Sequence, residues 1–69
     1  MKLLNTVREH RVVGRLTQED LAKAVGVSRQ TVVAIEKGEY TPSTLLALKL
    51  ARSFSVSVED LFGIGSEGE

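Results

Sequence analysis

From Leu3 to Phe62 the apolar residues recur at spacings of three and four rather than in sustained alternation, which predicts helices. The first helix is expected over Leu3 to Val13, with Leu3, Leu4 and Val7 facing inward and Gly14 near its end. A second runs from Gln18 to Val25, with Thr17 as N-cap and Asp20 three residues later, near the positive end of the helix dipole. Gly26 stops it, and Ser28 caps a third helix that continues to Lys37 and ends at Gly38. After the loop Glu39-Tyr40-Thr41-Pro42, Ser43 caps a fourth helix over Thr44 to Phe54, and Ser57 caps a short fifth over Val58 to Phe62. The Gly-rich, acidic end from Gly63 is expected to fray. The expected fold is therefore all-α, a compact five-helix bundle. Residues 1–64 form its one domain and 65–69 an acidic flexible tail.

Helices two and three, residues 18–37, are joined by a turn of about three residues. Ala22 lies where the two helices approach, Gly26 in the turn, and Val27, Val32 and Ile35 at buried sites, as two helices crossing at about 90–120° require. At about 100° per residue, Ser28, Thr31, Val32 and Ile35 share one side of helix three. Arg29, Gln30, Val33, Ala34 and Lys37 share the other. A merely solvated face more often carries Glu and Lys. This one carries groups that can read base edges: Arg toward guanine O6 and N7, Gln toward adenine N6 and N7, and apolar side chains toward thymine methyls.

Composition narrows the alternatives. With 69 residues the chain is one small domain that buries only about 60% of its unfolded surface, so dimerisation would help it. Cysteine is absent and His10 is the one histidine, so no disulfide, metal or cofactor is expected. His10 reads as a helix-surface residue without a nucleophile or paired carboxylate at catalytic spacing, and no Gly-rich phosphate loop is present, so an enzyme is not expected. No apolar run reaches the roughly 18 residues of a membrane span, and the N-terminal lead is too short for a signal peptide, so a cytoplasmic protein is expected. Net charge is zero, but all nine Lys and Arg fall in residues 1–52, where only five acids oppose them, nine minus five leaving plus four. The other four acids lie beyond residue 52.

The stretches LTQEDLAKAVGVSRQTVVAIEKGEYTPS and LALKLARSFSVSVEDLF resemble the lambda repressor and Cro-like helix-turn-helix family, also called the xenobiotic-response-element type. The resemblance covers about residues 5–62 and is similar in particular to small single-domain regulators. It implies a transcriptional regulator, most often a repressor, that binds double-stranded DNA as a homodimer, with helix three as recognition helix. Position by position, Arg29, Gln30 and Ala34 match base-reading sites, and Val33 joins them on the wheel. Gln18, Ser28 and Lys37 match phosphate-contacting sites, and Arg11 with Glu36 matches a partly buried ion pair between helices one and three. Two departures concern helix ends. Gly14-Arg15 replaces the usual basic residue then Gly, so either helix one ends early or Arg15 is left-handed; Ser55, where relatives have Gly, raises the same question for helix four. Glu39 stands where a phosphate would prefer a neutral or basic residue, and Leu45 where relatives are commonly polar.

Val56, Val58, Leu61, Phe62 and Ile64 either close the open end of the core or form the dimer surface. The competing reading is an antitoxin or adaptor that uses the same fold, and Leu45 with the apolar C-terminus, to hold a partner protein.

Overall fold

The computed structural model describes residues 1–65. The elements are β1 (Lys2–Asn5), α1 (Val7–Val13), α2 (Gln18–Val25), α3 (Arg29–Glu36), α4 (Thr44–Phe54), α5 (Val58–Leu61) and β2 (Phe62–Gly65). Each of α2 to α5 begins where a Ser or Thr hydroxyl accepts a backbone N–H: Thr17 from Asp20, Ser28 from Thr31, Ser43 from Leu46 and Ser57 from Asp60. Asp20 and Asp60 complete capping boxes by accepting the N–H of Thr17 and of Ser57, both at 3.0 Å.

The two chain ends depart from the sequence expectation together. Helix one does not start at Leu3; Lys2–Asn5 is a strand, paired antiparallel with Phe62–Gly65 so that Leu3 faces Ile64 and Asn5 faces Phe62. The reason is Asn5: its Oδ1 accepts the Val7 N–H at 3.1 Å and its Nδ2 donates to the Ile35 carbonyl at 3.0 Å. These bonds turn the chain into α1 and tie it to the end of α3. Thr6 then donates its N–H to the Leu61 carbonyl (2.9 Å) and its hydroxyl to the Asp60 carbonyl (3.1 Å). Of the three residues expected inward, only Val7 is buried; Leu3 and Leu4 are 37% and 42% exposed. For the same reason α5 stops at Leu61, and Phe62–Gly65 is ordered strand rather than frayed end. The tail expected at 65–69 lies outside the described residues except for Gly65, which is buried and pairs with Lys2.

Four helices end with one device, a left-handed residue followed by an N–H that reaches five residues back. The left-handed residues are Arg15 (φ 60°), Gly26 (76°), Gly38 (75°) and Ser55 (58°). The bonds run from Leu16 to the Arg11 carbonyl, Val27 to Ala22, Glu39 to Ala34 and Val56 to Ala51, all at 2.9–3.0 Å. The two questions raised by Gly14-Arg15 and Ser55 thus have one answer: in both places a non-glycine residue takes the left-handed turn.

One core unites the helices: Val7 of α1, Leu21, Ala22 and Val25 of α2, Val32 and Ile35 of α3, Leu46, Leu50 and Ala51 of α4, and Leu61 of α5. Each fully buried Leu contributes about 1.5–3 kcal/mol relative to exposure. Val27, Phe54, Val56, Val58 and Phe62 pack around its edge.

Candidate nucleic-acid interface

The turn between α2 and α3 is built around Gly26. Its left-handed backbone lets both its own N–H and that of Val27 reach the Ala22 carbonyl, and Val27 then packs on the core beside α2. Ser28 Oγ accepts the Thr31 N–H at 3.2 Å and lies 3.0 Å from the Thr31 hydroxyl, so it starts α3. With Val32 and Ile35 anchored in the core, Arg29, Gln30 and Lys37 are exposed, and Val33 and Ala34 are half-buried between them.

A chain of polar contacts fixes α3 against α1 and α2. Arg11 grips Glu36 through two bonds, Nε to Oε2 at 2.7 Å and Nη2 to Oε1 at 3.2 Å, and Nη1 donates to the Leu16 carbonyl at 2.9 Å. The pair is largely enclosed, with side chains 13% and 5% exposed. Gln18 extends it: Nε2 donates to Glu36 Oε1 at 3.2 Å, while Oε1 accepts Arg29 Nη2 at 3.3 Å. Arg29 is therefore held at its far end by a side chain that is itself held by the ion pair. No side-chain polar atom buried among the described residues lacks a partner.

Around this chain opens a cleft of about 610 Å³ between α1, the start of α2 and the outer face of α3, lined by Arg8, Arg15, Arg29 and Lys37. Arg11 and Glu36 also line it but neutralise one another, and Glu19 is the remaining acid. The capping box takes the Asp20 N–H, leaving those of Gln18 and Glu19 from the first three amides of α2. Hydrogen bonds from the Thr17 backbone and hydroxyl lower the Asp20 pKa, and those from Ser57 lower that of Asp60.

Arg8 and Arg15 were not among the DNA-contacting residues expected from the sequence: Arg8 lies on α1, and Arg15 reaches the cleft from the left-handed turn that follows it. Ser28 is exposed and Gln18 half-buried. Val56, Val58 and Phe62 are half-buried and Ile64 is 73% exposed, whereas Leu61 fills the core beneath them. His10 is half-buried, not a free surface residue: its Nδ1 lies 2.9 Å from the Thr6 carbonyl and its ring 5.7 Å from that of Phe54.

The Helix-turn-helix family model, of the Cro/C1 type, matches residues 7–61. The chain belongs to the Cro/C1-type helix-turn-helix family. It is similar to an uncharacterized HTH-type transcriptional regulator of Methanocaldococcus jannaschii, 57% identical over 58 residues, which span 84% of this chain and 88% of the relative. The cryptic phage CTXphi transcriptional repressor RstR of Vibrio cholerae is 36% identical over 55 residues, 80% of this chain and 50% of RstR. The crystal structure of the restriction-modification controller protein C.AhdI from Aeromonas hydrophila superposes with a TM-score of 0.73 at 33% identity, over 78% of this chain and 82% of that one. As a member of this family the protein is a transcriptional regulator with a helix-turn-helix DNA-binding domain, not an enzyme.

Proposed function

We propose that the protein represses transcription by binding a palindromic operator as a homodimer, with helix 28–37 in the major groove. The observation that carries this reading is the outer face of α3, where Arg29, Gln30 and, at its C-cap, Lys37 are exposed on a helix anchored from behind by Val32 and Ile35, with Arg29 steadied by Gln18. Arg29 reads guanine, Gln30 adenine, and Val33 and Ala34 meet thymine methyls. Lys37, Ser28 and the free N–H of the Gln18 amide contact phosphates and set the orientation. The named action of RstR supports repression.

The dimer surface in this reading is the apolar face formed by β1, β2, α4 and α5. Leu3, Pro42, Leu48, Val58 and Phe62 line a groove of about 240 Å³ there, and Ile64 stands directly across the sheet from Leu3. Two copies joined across a twofold axis would present α3 to half-sites about 10 base pairs apart. A partner protein is the rival occupant of this side, favoured by Leu45 and Leu48, one helical turn apart on α4 and 63% and 54% exposed.

Selection of bound fragments from a random DNA pool tests the reading, with an enriched palindrome expected. Arg29→Ala should then cost about 1–3 kcal/mol of specific binding and relax preference at one position, while Lys37→Ala weakens all sequences alike. No enrichment, together with a co-purifying protein, would shift the function to the adaptor.

A further inference from the structure

Arg15 occupies a backbone conformation that its side chain disfavours. Of the four left-handed helix ends, two hold glycine, whereas Ser55 and Arg15 each carry a Cβ there. Beside Arg15, Gly14 stays right-handed at φ −77°, so the glycine of the pair is not the residue that takes the left-handed turn. Arg15 takes it, where glycine would relieve the backbone. No ion pair among the described residues uses Arg15, and the residue is exposed. Its side chain lines the cleft that Arg8, Arg29 and Lys37 also line.

We infer that Arg15 is a phosphate-contacting residue, kept in a strained turn because a guanidinium is required there on the flank of the recognition face. This inference rests on the DNA-binding reading above and extends it to a residue outside the helix-turn-helix unit. A planar fork of N–H donors matches the oxygens of a backbone phosphate, and a phosphate contact adds affinity without choosing a base. Strain at the turn and charge in the cleft then have one account: the residue that would best suit the fold would lose the contact.

The experiment compares the parent protein with Arg15→Gly and Arg15→Lys, using the selected operator and an unrelated duplex. Arg15→Gly should melt at or above the parent temperature, so weaker binding cannot be assigned to misfolding. Its affinity should fall by the same factor for both duplexes, and the slope of log affinity against log salt should become shallower by about 1. Between about 50 and 200 mM salt that is about 4-fold less loss of affinity than the parent suffers. Arg15→Lys should keep the parent slope. A parent that binds while Arg15→Gly matches its affinity and slope overturns the role alone. So does a loss confined to one base position. A parent that binds no duplex overturns the operator reading and this role together.

Discussion

The cleft between α1, α2 and α3 and the face built by β1, β2, α4 and α5 lie on one core but are finished in opposite ways. In the cleft, the acid Glu36 is cancelled inside by Arg11, and the cations Arg8, Arg15, Arg29 and Lys37 are left for something outside. On the other face Leu3, Leu48 and Ile64 remain exposed beside an apolar groove. A polyanion suits the first surface and an apolar partner the second. The contrast is useful because each surface fails differently when perturbed.

The sharpest contrast should come from one substitution beneath each surface. Leu61→Ala, under the apolar face, removes a buried side chain and should cost about 2–5 kcal/mol in urea unfolding. Glu36→Ala, under the cleft, should cost about 3 kcal/mol by leaving Arg11 enclosed without its partner. It should also loosen Gln18 and Arg29, so the surviving folded protein should bind its operator more weakly. If Glu36→Ala proves as stable as the parent, the cleft is not held by the pair.

A smaller change separates surface from core. Ile64→Asp should shift unfolding of the monomer by no more than about 0.5 kcal/mol, because Ile64 is an exposed strand residue. It should nonetheless convert a dimer to a monomer in sedimentation and abolish tight binding to a two-half-site operator while sparing weak binding to one half-site. An unaltered dimer would move the interface elsewhere.

The smallest effect tests where the two regions are alike. Asp20 and Asp60 both have lowered pKa values because each accepts a bond from the backbone N–H of its own cap residue. A carboxyl lowered on folding stabilises the protein above its unfolded pKa, and that contribution disappears as pH falls through the folded value. Acid unfolding should therefore flatten slightly in Asp20→Asn and in Asp60→Asn, by similar amounts, each variant being a little less stable than the parent near neutral pH and approaching it as pH falls through the folded value. An effect in only one variant would show that the two capping boxes are not equivalent.

How far the sequence could be read follows the same division. The bounds of α2 and α4 are those its caps and glycines indicate, because Thr17, Gly26, Ser43 and Ser55 act within their own turn of chain. The opposed faces of α3 follow from periodicity alone. What could not be read from local pattern was β1. Leu3 and Leu4 continue the helical spacing that ends at Val13, and nothing nearby says that Asn5 will bond the carbonyl of Ile35, 30 residues away. Likewise Arg8 and Arg15 were visible as bases, but their convergence with Arg29 and Lys37 depends on how α1 crosses α3.

By itself, then, the sequence determined where α2 to α5 begin, the Ser and Thr that cap them, the turn at Gly26 and the side chains that α3 shows outward, since each of these is decided by residues within a few positions of one another. Tertiary structure decided that residues 2–5 are a strand, that Leu61 fills the core while Ile64 does not, that Gln18 joins Glu36 to Arg29, and that Arg15 shares the cleft. Those outcomes depend on hydrogen bonds and packing between segments distant in the chain, whose free energy exists only once the bundle has closed.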